Sequence, residues 1–310
     1  MMSARAKLAL AVSVILLAVP WVLPSFYVGI FAYAGIYALV AVGLVLLLQA
    51  GQISLGQGAF MGLGAYGSAL VARAYGIDTL VTLVLRVSAT GLVAALIGFI
   101  TLRLDKIPPL SLFGFALTDD RLYTQLIWAI TLLAVLGLSR LRTSRTGRAI
   151  ATLEGHDGLA QAFGVDTTVL RVKVFVFSAV LAALAGALYV HLLRFVSPSP
   201  FSLLTSFKLL IMAVVGGPMS AAGGVLGALT LESAQWTLQD ILARWGLSGN
   251  LEVIVFGVIL VVMLLKWPQG LWPAVERFLP KPTLRSRAGE GLARTALTEN
   301  RGEVLLRLEG

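Results

Sequence analysis

Between residues 8 and 266 the chain is a series of apolar runs, most near the length that crosses a lipid bilayer. About 20 mainly apolar residues, wound as a helix, cover the hydrocarbon layer. In lipid every backbone polar group must find its partner inside the protein, so runs of this length span as helices. Spans are expected over residues 8–23, 26–48, 53–72, 79–104, 122–141 and 174–193. The stretch 203–266 is interrupted by GGPMSAAGG (216–224) and GLSGN (246–250). It reads as helices over 203–215, 225–242 and 251–266, the first short enough for a half-helix. The fold class is an all-α polytopic membrane protein with about nine transmembrane helices. Composition agrees, with 58% hydrophobic and 13% charged residues, against about 25% charged in soluble domains.

The charges then have a place. Arg140, Arg142, Arg145, Arg148, Arg171 and Lys173 crowd one polar loop, and seven further basic residues lie in the tail after Trp267. Lys and Arg near span ends mark the cytoplasmic side, so both regions and the N-terminus are assigned there. The net charge of +9 is thereby a matter of topology, and no nucleic acid is implied. Residues 8–23 follow Arg5 and Lys7 like a signal peptide. No small-x-small cleavage site precedes Pro20, so an uncleaved first span is expected. Parity then raises a conflict. Five expected spans separate the N-terminus from the basic loop, and an odd number cannot return the chain to the same side.

GQISLGQGAFMGLGAYGSAL (51–70) holds six glycines in twenty residues. Small-xxx-small spacing lets helix backbones approach closely in lipid. Gly58, Gly62, Ala65 and Ala69 share one helical face, and Ser54, Gln57, Gly64 and Ser68 fall on the next. QAGQ (49–52) reads as an unwound turn, tolerated at membrane depth only where protein or a water-filled cavity shelters it. Two readings stand, helix packing and a translocation path, and Gln52 and Gln57 add weight to the second. In the basic loop a short helix carrying Glu154, Asp157 and Ala160 is expected to stop at Gly164. So short a helix is not stable alone. It packs on its own membrane domain or docks into a partner.

No catalytic or metal constellation is visible. The chain has no cysteine, and its only histidines are His156 and His191, the latter expected at the membrane interface. Glu232, Asp240 and Glu252 are placed near span ends, which speaks against a secondary transporter with intramembrane acids at its ion site. No phosphate loop of the form G-x-x-x-x-G-K-[ST] is present.

In one order the chain carries GQISLGQGAF followed by GLGAY, GRAI with the short acidic helix, K-x-FVFSAVLAALAGALY, VVGGPMSAAGGVLGA and KWPQGL. This set resembles the M-type permease subunits of branched-chain amino acid (Leu/Ile/Val) ABC importers, over about residues 26–271. The resemblance implies an inner-membrane, multi-pass, non-enzymatic subunit without cofactors. Its implied partners are a second homologous permease, two cytoplasmic ATPases, a periplasmic substrate-binding protein and the amino acid itself. A translocation or packing role falls on Gln52, Ser54, Gln57, Gly58 and Gly62. ATPase coupling falls on Arg148, Glu154, Asp157, Ala160, Gly164 and Lys173. A sugar-importing ABC permease is the nearest alternative.

Three departures from the family stand out. Gln57 occupies a position usually held by His, which removes a titrating group. Glu154 stands where a basic residue is usual. Phe99–Leu104 joins Asp105–Asp120 directly, where the family carries about one more span, so one span fewer than the family's number is expected. Residues 1–271 form the permease domain, with a coupling loop over about 142–173. Residues 272–310 form a cytoplasmic tail. Its last segment, EVLLRLEG, alternates like a strand and reads as the opening of an ATPase domain in a truncated fusion.

Overall fold

The computed structural model of the protein describes residues 4–75, 104–105, 111–112, 115–116, 119–153, 160–161, 165–245, 265–266 and 269–277. Its helices are α1 (Ala4–Val22), α2 (Ser25–Gln49), α3 (Gln57–Tyr75), α4 (Asp120–Thr143), α5 (Arg145–Thr152), α6 (Thr167–Leu193), α7 (Leu203–Gly216), α8 (Ala221–Arg244) and α9 (Trp272–Glu276). Among the described residues, α2, α4 and α6 are long and apolar enough to cross a membrane. The pair α7 and α8, bent by 119° at its break, makes a fourth crossing if taken as one span.

The central helix is α2. It is apolar on all sides, and every residue from Ala34 to Leu47 is buried, as expected of a helix enclosed by others. Its neighbours grip its backbone with polar side chains. Trp128 Nε1 donates to the Phe31 carbonyl at 3.0 Å and Thr131 Oγ1 to the Gly35 carbonyl at 3.0 Å, so α4 runs parallel to α2. Gln125 Nε2 reaches the Leu17 carbonyl at 2.9 Å and Arg121 the Trp21 carbonyl at 3.2 Å, which sets α1 antiparallel to α4. Gly224 of α8 lies on the backbone of Ala41, and α8 runs antiparallel to α2.

The closest helix contact joins α3 and α6, which run parallel. A Cβ on Gly64 would overlap the Ala183 carbonyl, and one on Gly186 would overlap the Met61 carbonyl. Each backbone thus occupies the space where the other would carry a side chain, which is the purpose of small residues at such interfaces.

Polar residues set several helix ends. Asp119 accepts from Arg121 N at 2.9 Å, Ser144 from Gly147 N at 3.2 Å and Asp166 from Val169 N at 3.0 Å, each satisfying a first-turn donor. These caps start α4 and α6 earlier than apolarity alone suggests. The break between α7 and α8 is only Gly217–Ser220, so α8 begins four residues before the expected 225, glycines included. Gly217 turns the chain there at φ +116°, a backbone state that side-chain-bearing residues rarely adopt.

These directions give the molecule two ends. The basic end gathers the last residues of α2, the arginines closing α4, the first turn of α6 and the α7–α8 break. Gln49 Nε2 donates to the Pro218 carbonyl at 3.0 Å, Arg142 donates to the Met219 carbonyl, and Leu271 N reaches the Val215 carbonyl at 2.7 Å. The opposite end holds the start of α4 and the close of α3 and α6. There β1 (Leu104–Asp105) pairs antiparallel with β4 (Phe195–Val196), Leu104 opposite Val196. A second small hairpin pairs β2 (Ser111–Leu112) with β3 (Phe115–Ala116).

Helices α1, α2, α3 and α4 alternate in direction and bring the chain from the basic end back to it. Tyr75 and Leu104 lie at the same end. The expected span over 79–104 lies outside the described residues apart from Leu104. The expected span over 251–266 lies outside them apart from Leu265 and Lys266, and its flanks, Arg244 and Gln269, sit at opposite ends. The tail beyond Arg277 is also outside.

Candidate functional site

Helix α3 starts inside the bundle. Its first residue, Gln57, lies level with Gly43 and Ser178. Gly43 is six residues before the end of α2, about 9 Å of helical rise. The segment Gly51–Gly56 climbs to that depth without helical bonds. Gln52 N closes back on the Leu47 carbonyl at 2.9 Å, and Ser54 Oγ accepts from Gly56 N at 3.3 Å.

At the mouth of α3 the amide of Gln57, wholly buried, donates to Ser178 Oγ at 3.2 Å. Its Oε1, like that of Gln52, is buried without a partner among the described residues. Gly58 N donates to Ser206 Oγ at 3.0 Å. A Cβ there would stand 2.6 Å from that hydroxyl and 2.9 Å from the Ser202 carbonyl. One turn on, Gly62 faces Phe201, its Cβ position 3.1 Å from the Phe201 Cβ. Gln57, Gly58 and Gly62 are therefore brought to one wall with Ser178, Ser206 and Phe201, while Gln52 and Ser54 sit on its approach. The neighbouring face of α3, with Gly64 and Ser68, packs on α6.

His191, in the last turn of α6, is buried within the protein with its Nε2 2.8 Å from Ser68 Oγ. Burial of the imidazole is stabilised by that polar partner on α3.

Glu232 departs from expectation. It lies at the middle of α8 rather than near a span end, and it is buried. Lys208 of α7 meets it at 2.7 Å, and Trp236 Nε1 donates to its other oxygen at 3.2 Å. Lys208 Nζ also lies 4.8 Å from the centre of the Tyr37 ring. Tyr37 is the midpoint of α2, so the pair stands at mid-depth. A lone Lys within the apolar run 203–215 and a lone Glu within 225–242 were the available signal, but 24 residues separate them and no local pattern links the two.

The coupling residues are less gathered. Helix α5 lies beneath the α2–α3 turn, with the Leu153 carbonyl 3.3 Å from the Cβ position of Gly51. Arg148 is exposed and donates to the Thr143 carbonyl at 3.1 Å. Lys173 is exposed on α6. Ala160 is wholly buried in the main core, so a large side chain there acts on this chain's own packing. Glu154, Asp157 and Gly164 lie outside the described residues.

A family model described as the permease component of branched-chain amino acid transport systems matches residues 26–117 and 107–264. The chain belongs to this family. The permease is similar to the high-affinity branched-chain amino acid transport system permease protein LivM of Salmonella typhimurium, at 25% identity over 91% of this chain and 77% of LivM. LivM of Escherichia coli K12 matches at 25% identity over 90% and 77%. LivH of Escherichia coli K12 matches at 31% identity over 49% of the permease and 48% of LivH. The first alignment runs over 338 positions with 91% of a 310-residue chain, so LivM carries several tens of residues within the matched stretch that the permease lacks. No solved structure matches.

Proposed function

We propose that this chain is one permease half of an ABC importer that carries branched-chain or related amino acids across the inner membrane by alternating access. The observation that carries the reading is the family match across most of the chain, with LivM-type relatives covering nine-tenths of it. The expected partners are a second permease of LivH type, two cytoplasmic ATPases and a periplasmic binding protein that delivers the amino acid. Similarity to both LivM and LivH supports a pair of homologous halves. The relatives favour an amino acid over a sugar.

In this reading the wall formed by Gln57, Gly58 and Gly62 borders the path. Helix α5 and the loop through Asp157 to Gly164 transmit the ATPase stroke, with Ala160 rooting that loop in the membrane domain. Arg148 and Lys173, exposed at the same end, supply charge for docking. ATP binding and hydrolysis move the loop, and the α2–α3 turn above α5 moves with it. The permease has one span fewer than its relatives, missing near Leu104. That assignment is supported by the extra residues within LivM.

ATP-dependent leucine uptake by the reconstituted importer tests the function. Uptake that requires this chain is expected, and none despite an assembled complex defeats it. Reporter fusions after Tyr75 and at Asp119 test the topology. Both should report the periplasm, and opposite sides would restore the missing span.

A further inference from the structure

We propose that the Lys208–Glu232 pair receives the transported amino acid's own charges at mid-depth, Lys208 taking the α-carboxylate and Glu232, with the face of Tyr37, taking the α-ammonium. The inference rests on the importer reading above and names the substrate chemistry inside it.

A zwitterion needs both charges answered when it leaves water, because an unpaired ion in a low-dielectric interior is very costly. The permease holds one cation and one anion 2.7 Å apart at the midpoint of α2 and α8. An amino acid inserted between them presents the same two charges in complementary order. Each protein charge then exchanges one partner for another, and the net charge of the site stays zero. A neutral sugar offers no such exchange and would leave the internal pair closed.

The two partners are built differently. Glu232 is fixed by Trp236 and only 5% of its side chain is exposed, whereas Lys208 keeps 20% exposed on a flexible stem. Lys208 is therefore the arm that can turn to an arriving carboxylate. The Tyr37 ring, 4.8 Å from Nζ, is a cation-binding face that serves an ammonium from either source.

Aromatic rings connect this point to the α3 wall. Tyr33 lies beside Tyr37 and 5.8 Å from Tyr189, Tyr189 lies 5.7 Å from Phe201, and Phe201 faces Gly62. A branched aliphatic side chain would be received by these rings while its charges meet Lys208 and Glu232. The bland reading is that the ion pair only ties α7 to α8. Apolar replacement of a buried pair is often neutral for stability, which separates the two.

The test uses the complete importer in proteoliposomes. Wild-type complex must first take up leucine with ATP, and failure at that stage refutes the importer reading rather than this one. Given that activity, Lys208→Met with Glu232→Gln is expected to be recovered in wild-type yield, with leucine uptake per complex and per ATP hydrolysed reduced at least tenfold. Unchanged uptake per complex overturns the proposal. If that variant does not assemble, Tyr33→Cys decides, since it leaves both charges in place and gives the chain its only thiol. Leucine-loaded binding protein with ATP should slow its modification by a thiol-specific methanethiosulfonate reagent at least threefold. Equal rates with and without leucine overturn the proposal.

Discussion

Two buried contacts hold this bundle by close glycine packing, and only the second adds a charge pair: a Cβ on Gly227 of α8 would overlap the Met212 carbonyl of α7. Between α3 and α6 the backbones touch through Gly64 and Gly186, and the polar groups are neutral, Gln57 to Ser178 and Ser68 to His191. Between α7 and α8 a charge pair under Tyr37 faces α2. Lipid supplies little hydrophobic force between helices, so the first contact relies on close dispersion contact and modest hydrogen bonds. The second spends its energy desolvating two ions that then hold each other. The first is a fit of surfaces and tolerates no added volume. The second tolerates no added volume at Gly216 or Gly227 either, and its balance of charge tolerates no single deletion.

That contrast is open to attack by mutation. Gly186→Leu should be the most damaging change, because even its Cβ meets the Met61 carbonyl. The cost should reach about 3 kcal/mol, the upper part of the overpacking range, seen as loss of a monodisperse complex on size exclusion. Glu232→Leu alone should come next, at about 2–3 kcal/mol by thermal melting in detergent. Losing one member of a fully buried pair costs more, but Lys208 keeps a fifth of its side chain exposed. Adding Lys208→Met to Glu232→Leu should recover most of that loss, whereas no second apolar substitution at Met61 should rescue Gly186→Leu. Ser68→Ala should cost about 1 kcal/mol, the ordinary worth of a buried neutral hydrogen bond. Gly62→Ala should be smallest, within about 0.5 kcal/mol of wild type. Its Cβ would press Phe201 at 3.1 Å, while Ala gains about 1 kcal/mol of helix propensity over Gly. A large loss at Gly62 with tolerance at Gly186 would reverse the assignment of the tight contact.

What the sequence carried of this differs between the two contacts. The glycine spacing from Gly58 to Ala69 announced a packing face, and α3 does bury it. The tightest approach nevertheless uses Gly64, on the polar side, because α6 presents Ala183 and Gly186 there. Apolar length located α2 and α4 to within two residues and the close of α6, whose start at Thr167 lies seven residues before the expected one because Asp166 caps it. The half-helix 203–215 was legible from its short apolar run and the following glycines. The Lys208–Glu232 pair was not, since neither residue has a local pattern and only the fold of α7 back along α8 joins them. Glu232 was misplaced toward a span end although the expected helix 225–242 already holds it near its middle, and α8 keeps it there.

The wall around Gln57 also sets an order of synthesis. Its partner Ser178 lies 121 residues further along the chain, Ser206 lies 148 residues beyond Gly58, and Pro218 lies 169 residues beyond Gln49. At about 5–20 residues per second, the non-helical segment Gly51–Gly56 and the amide of Gln57 that follows it wait about 6–24 seconds for the first of these. Water or the insertion machinery must satisfy that amide during the interval. The entrance to α3 is thus finished long after it is made, although it is among the first parts to be made.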